Sequence, residues 1–150
     1  MTQRTDVKII PMDRENAEFV AQIEAECFSQ PWSREAFLKE LENPAAISLA
    51  AVSDTVCGFI NAHKILDEVY INNIAVKNGY RRLGIGSALL DELEKYAGEV
   101  SLITLEVRKS NFPAIGLYEK HGYQKVGERK NFYSFPAEDA VLMTKYFVER

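Results

Sequence analysis

The chain has 150 residues, 47% hydrophobic and 27% charged, with a formal net charge of −4. That composition suits one globular domain over residues 1–150 and requires no second one. The acidic balance and the lack of a basic run argue against broad binding to a nucleic-acid backbone, and no apolar run is long enough to span a bilayer. Met1–Asp6 shows no apolar signal segment, so the cytoplasm is the expected location. Cys27 and Cys57 are too few and too far apart for a disulfide framework or a four-ligand zinc site, and they are expected as reduced thiols with no metal implied. A Cys/His nucleophile using His63 or His121 is set aside, because such a pair meets only through the fold.

In chain order, Val7-Lys8-Ile9-Ile10 reads as a short strand. Asp13 then opens a helix whose Phe19, Val20, Ile23 and Cys27 share one face at three- and four-residue spacing. Pro31-Trp32-Ser33 interrupts it, and Ser33 caps a second helix running toward Asn43-Pro44. Two strands, Ile47–Val52 and Val56–Lys64, are separated by Ser53-Asp54-Thr55 as in a hairpin. Asp67-Glu68 leads into a strand ending near Val76. The next helix, Gly84 to Ala97, is expected to bury Ile85, Ala88, Leu89, Leu93 and Tyr96 and to stop at Gly98. A strand at Leu102–Val107 follows, then a short helix from Pro113 to His121 with Asn111 as its cap and Gly122 past its end. Strands around Tyr123–Arg129 and Val141–Tyr146 are expected to close the sheet. Arg129 to Asp139 reads as a loop whose aromatics suggest a substrate wall.

The most informative stretch is Arg81-Arg82-Leu83-Gly84-Ile85-Gly86-Ser87-Ala88, between a strand and an amphipathic helix. A helix beginning there offers unpartnered N–H groups and the positive end of its dipole, which together bind anions. Gly84 and Gly86 let the backbone turn and approach a pyrophosphate, and Arg81 and Arg82 add charge at the rim. A Walker loop is excluded, since no Gly-Lys-Ser/Thr follows. The dinucleotide fingerprint is closer, but Leu89 stands where its third small residue belongs.

Arg81-x-x-Gly84-x-Gly86 has the form of the acetyl-CoA loop of Gcn5-related N-acetyltransferases, the GNAT superfamily, and the chain resembles that family. The likeness continues in Asn73-Ile74-Ala75-Val76, in Leu105-Glu106-Val107-Arg108-Lys109-Ser110-Asn111, and in Ala114-Ile115-Gly116-Leu117-Tyr118-Glu119-Lys120-His121-Gly122-Tyr123. Phe28-Ser29-Gln30-Pro31-Trp32-Ser33, Asn131-Phe132-Tyr133 and Glu138-Asp139-Ala140-Val141-Leu142-Met143 narrow it to the RimI-type ribosomal-protein-alanine branch and extend it over nearly the whole chain. The resemblance implies an α/β (α+β) GNAT fold: a mixed, mostly antiparallel sheet of about seven strands flanked by about four helices, with a splayed parallel pair at the acetyl-CoA site. It also implies acetyl transfer to the N-terminal alanine of a small-subunit ribosomal protein. Where similar sequences carry Tyr-Tyr-Pro, this chain has Phe132-Tyr133-Ser134, and its loop before Glu138 looks shorter.

On that resemblance the coenzyme is held by Ile74, Ala75, Val76, Arg81, Arg82, Leu83, Gly84, Ile85, Gly86, Ser87 and Asn111. Ile74 and Val76 double as core residues, and Asn111 doubles as the helix cap. Glu106 is the candidate base for the incoming ammonium. A free Glu titrates near 4.3 and an α-amine near 8, so either burial raises Glu106 or a water relays the proton. Tyr118 is the candidate acid for the departing thiolate. The plain alternatives are an ion pair of Glu106 with a nearby Arg such as Arg108, and helix packing for Tyr118. Trp32 reads as an apolar plug between two helices or as a gate at the peptide entrance, and Tyr133 as a substrate-facing hydroxyl. The other functions weighed are acetylation of a lysine or small amine, a non-catalytic acyl-CoA sensor, and a nucleotide-binding oxidoreductase.

Overall fold

The computed structural model describes residues 6–147. Its elements are β1 (Lys8–Pro11), α1 (Arg14–Cys27), α2 (Arg34–Glu40), β2 (Ala46–Val52), β3 (Val56–Ile65), β4 (Glu68–Val76), α3 (Ile85–Ala97), β5 (Leu102–Arg108), α4 (Phe112–Lys120), β6 (Gln124–Tyr133) and β7 (Glu138–Tyr146). The caps follow from the sequence. Asp13 accepts from the Asn16 amide at 3.0 Å while Asn16 accepts from the Asp13 amide at 2.7 Å, a reciprocal capping box that starts α1. Ser33 Oγ accepts from Ala36 N at 3.1 Å and starts α2.

The seven strands form one mixed sheet in the order β1-β2-β3-β4-β5-β7-β6. Only β4 and β5 run parallel, and their pairing covers Glu68↔Leu102, Val69↔Ile103 and Tyr70↔Thr104. Beyond Tyr70 and Thr104 the two strands part. An irregularity helps to open the V: β3 pairs Asn61 with Asn73 and Ala62 with Ile71, so Asn72 is an extra residue on β4. β7 lies between β5 and β6, hence the sheet stays open, with β1 and β6 at its edges, and the expected closure does not occur.

Two cores cover the two faces. On one, Leu89, Leu90 and Leu93 of α3 pack with Tyr118 of α4 on Ile60, Ile103 and Leu105. On the other, Val20 and Ile23 of α1 and Phe37 of α2 pack on Phe59 and Ala75. The buried stripe of α1 is Asn16, Ala17, Val20, Ile23 and Glu24, whereas Phe19 is 46% exposed and Cys27 only half-buried. Likewise α3 buries Leu90 and Ala97, while Tyr96 is 48% exposed and Ala88 half-buried. Both helices are rotated by about one residue relative to the expected faces, because Phe and Tyr at a stripe's margin score as apolar but extend into solvent.

The expected loop from Arg129 to Asp139 is mostly strand. β6 runs to Tyr133 and β7 starts at Glu138. An edge strand reading Arg129-Lys130-Asn131 has no buried face and so carries no apolar alternation to betray it. Among the described residues no helix is long and apolar enough to cross a membrane.

Candidate active site

The V between β4 and β5 is lined from the α1 side by side chains on both strands. Glu106 projects from β5 with only 5% of its side chain exposed. Its Oε2 lies 2.6 Å from Arg129 Nε on β6, and its Oε1 accepts a hydrogen bond from the Tyr70 hydroxyl on β4. Burial at Glu106 is therefore matched by a cation and a neutral donor. The ion pair weighed from the sequence exists, but its partner is Arg129. Arg108 instead pairs with Glu138 at 3.1 Å.

Tyr70 and Arg129 are functional candidates that sequence reasoning missed. The parallel register would have exposed Tyr70, since pairing Tyr70 with Thr104 places it on the face of Glu106, two residues on. Desolvation, then the hydrogen bond to Glu106, push the Tyr70 phenol well above its ordinary value. Tyr133 sits at the same mouth. Desolvation and the Glu106 charge raise it to about 12, and the Arg108 guanidinium lies 4.5 Å from its ring centroid.

Tyr118 on α4 is 6% exposed and packs on Tyr123 with ring centroids 5.9 Å apart. Burial, and secondarily Tyr133, hold its phenol far above the usual tyrosine range. The packing role weighed from the sequence is therefore seen, in the core shared with α3.

The loop after β4 enters α3 through a left-handed turn. Arg82 has φ +68° and Gly84, the N-cap of α3, has φ +80° with no side chain near it. The first α3 amides follow that turn without a side-chain cap, next to the dipole's positive end. Gly86 has a different reason: a Cβ there would lie 3.0 Å from Leu117 Cδ2, so its lack of side chain lets α3 and α4 approach. Leu83 is half-buried against the core and Ile85 is buried, so both can offer only backbone to the loop's outer side.

Three of the expected coenzyme-site side chains are engaged within the protein. Arg81 turns back, donating from Nε to Val76 O at 3.1 Å and from Nη2 to Cys27 Sγ at 3.2 Å. Ser87 Oγ lies 2.9 Å from His121 Nε2, whose Nδ1 is 3.5 Å from Asp91. Asn111 caps α4, accepting from Ala114 N at 3.3 Å. Of the expected free cations at the rim, only Arg82 projects without such a bond among the described residues. On β4, Ala75 points to the α1 core, Ile74 and Val76 to the α3 core. Their backbone edge toward β5 has no strand partner beyond Tyr70.

Trp32 packs against Phe37 at 5.3 Å, which stacks edge-on with Phe59, so the plug reading holds for its ring. Its amide adds something unforeseen. Trp32 N donates to Glu24 Oε2 at 3.0 Å, and Asn73 Nδ2 bonds both Glu24 oxygens at 3.0 Å. Glu24 is 2% exposed, and this network ties the α1–α2 segment to β4 at the mouth of the V. The Asn16-Val20-Glu24 spacing was the available signal, a charged residue on a buried helical face.

Burial raises the Glu24 carboxyl, with the Trp32 amide and Asn73 acting in opposition. A raised folded-state value means that the folded form holds the proton more tightly, so this contribution is fully present below the ordinary carboxylate range and lost as pH rises through the folded value. Glu24→Gln lacks that titration, and an Asn73 amide flip would then let the unpartnered Asn73 Oδ1 accept from it. At neutral pH the variant is expected within about 1 kcal/mol of wild type. Its stability relative to wild type is expected to increase from pH 4 to 7 in urea unfolding; a decrease would refute the desolvation argument.

The remaining candidates have structural roles. Cys57 is buried with Sγ 3.4 Å from Ala51 O, and His63 Nε2 is 2.7 Å from Glu40. Among the described residues no group of three or more His, Cys, Asp or Glu is placed to hold a metal ion.

Comparison with known proteins places this geometry. The family model described as "Acetyltransferase (GNAT) family" matches residues 17–123. A relative from Bacillus subtilis (strain 168), provisionally named a [ribosomal protein bS18]-alanine N-acetyltransferase, is 38% identical over 144 residues, covering 93% of this chain and 95% of its own length. The crystal structure of the ribosomal-protein-S18-alanine N-acetyltransferase from Escherichia coli superposes with a TM-score of 0.86 at 29% identity, covering 96% of each chain. That of Arabidopsis thaliana NAA60 in complex with acetyl-CoA gives 0.84 at 25% identity, covering 94% of this chain and 99% of that one.

Proposed function

The chain belongs to the acetyltransferase (GNAT) family, and from that premise we propose that it moves the acetyl group of acetyl-CoA to the N-terminal α-amine of a protein, the alanine that begins a small-subunit ribosomal protein. It does so as a single cytoplasmic domain. The observation that carries the chemistry is Glu106, a buried carboxylate inside the V where two parallel strands part, held by Tyr70 and Arg129. The names of the relatives supply the substrate.

The uncapped amides after Gly84 receive the coenzyme's pyrophosphate, and the unpaired β4 edge at Ile74–Val76 runs beside its pantetheine arm. The peptide's ammonium enters from the Trp32 and Tyr133 side. Glu106 takes one proton from it, directly or through one water, and the freed nitrogen attacks the thioester carbon. A backbone N–H of the β4 edge stabilises the oxyanion. As the C–N bond forms and the C–S bond breaks, Tyr118 donates its proton to the departing thiolate; the second proton shed by the nitrogen restores Tyr118 through water, and the one on Glu106 leaves to solvent. No covalent enzyme intermediate is needed.

The test is mass spectrometry of a peptide bearing the alanine-starting N-terminus of the host's ribosomal substrate, incubated with enzyme and acetyl-CoA beside an N-terminally blocked peptide containing lysine. Acetylation of the free N-terminus alone is expected. Acetylation of the blocked peptide would move the activity to lysine, and silence on both with coenzyme A still bound would leave a small amine or a sensor.

A further inference from the structure

Arg108 ends β5 two residues after Glu106, yet points to a different set of partners. Its Nη1 donates to Pro136 O at 2.9 Å and Glu138 Oε1 at 3.1 Å, and its Nη2 donates to Ser134 O at 3.0 Å and Ser29 Oγ at 3.5 Å. Its guanidinium carbon lies over the Tyr133 ring. Glu138 is itself fixed, accepting from Ser110 N at 2.7 Å through its other oxygen.

These partners belong to separate stretches. Ser29 lies in the segment between α1 and α2 that leads to Trp32, and Ser134 and Pro136 form the turn between β6 and β7 beside Tyr133. One planar fork with five donors thus joins both walls of the mouth above Glu106. A lysine could not reproduce this arrangement, because its compact ammonium has three donors and no planar face to lay on Tyr133.

We propose that Arg108 is a positioning residue for the peptide substrate, latching the α1–α2 segment to the β6–β7 turn so that an extended N-terminus meets a preformed entrance. The inference rests on the peptide-amine reading above. Arg108 does not touch the reacting atoms. Its loss therefore loosens the walls without disturbing the Glu106, Tyr70 and Arg129 cluster, and a peptide that must thread between those walls bears the cost in binding.

The experiment measures steady-state kinetics of Arg108→Lys and Arg108→Met on the alanine-starting peptide, with coenzyme A binding by calorimetry. The expected result is a peptide KM raised about 10-fold by Lys and more by Met, with kcat within about two-fold and coenzyme A affinity unchanged. An unchanged KM, a fall confined to kcat, or an equal loss of coenzyme A affinity overturns the proposal. Should both variants fail to fold, Glu138→Gln decides, since it weakens the latch from the other side: a raised peptide KM at constant coenzyme A affinity supports it and an unchanged KM overturns it. Wild-type enzyme that acetylates no peptide would instead overturn the function proposed above, so the two failures are distinct.

Discussion

Tyr118→Phe is expected to slow turnover by about 10²–10⁴ while coenzyme A binding stays near wild type. The argument is one of subtraction. Phe keeps the ring that packs on Tyr123, and the Tyr118 hydroxyl makes no hydrogen bond among the described residues, so its removal orphans no partner. What disappears is the proton for the leaving thiolate. The raised phenol also sets a sign for pH: a group held above its usual value stays protonated longer as pH rises, so the wild-type rate is expected to climb as the α-amine deprotonates near 8 and not to fall by about pH 10. Single-turnover acetylation against pH, with calorimetry of coenzyme A, checks both points. Unchanged turnover in the variant would remove Tyr118 from the chemistry.

Glu106→Gln is expected to lower kcat/KM at neutral pH by a similar factor, about 10²–10⁴, for the opposite proton. An amide has the same shape and can still accept from the Tyr70 hydroxyl, but it cannot take a proton from an ammonium. Arg129 loses its anionic partner at small cost, because more than half of its side chain is already exposed. The deficit should shrink above about pH 8, where the α-amine is free without help. A pH profile of kcat/KM on the alanine-starting peptide separates this from damage to the site. A deficit that stays constant to high pH would make Glu106 an organiser of Tyr70 and Arg129 and not a base.

Local signals settled where the helices begin and where the chain turns. Caps at Asp13, Ser33 and Asn111 came from short polar side chains next to apolar periodicity, and each forms the bond its chemistry dictates. The glycine loop announced a tight turn, and the structure makes it left-handed at Gly84, where no Cβ has to be accommodated. Gly86 shows where local reasoning stops, for its constraint is Leu117 on another helix. The end of β6, residues 130–133, read as loop for the same reason in reverse: an edge strand gets its definition from β7, not from its own residues.

The division is sharpest at the site. Glu106, Tyr118 and the loop stood out in the sequence by family resemblance and by residue type, since proton transfer and anion binding demand particular side chains and backbone. The partners of those residues did not. Glu106 meets Tyr70 through the parallel register of β4 and β5 and Arg129 from β6, with β7 between. Glu24 reaches Asn73 across 49 positions, and Arg108 reaches Ser29 across 79. By itself the sequence determined which groups carry charge and where helices begin, because those depend on neighbours within a few residues. Tertiary structure alone decided which charges are buried, which are paired and which walls they hold together, because burial and pairing depend on strand order and register, which bring distant segments within a few ångströms.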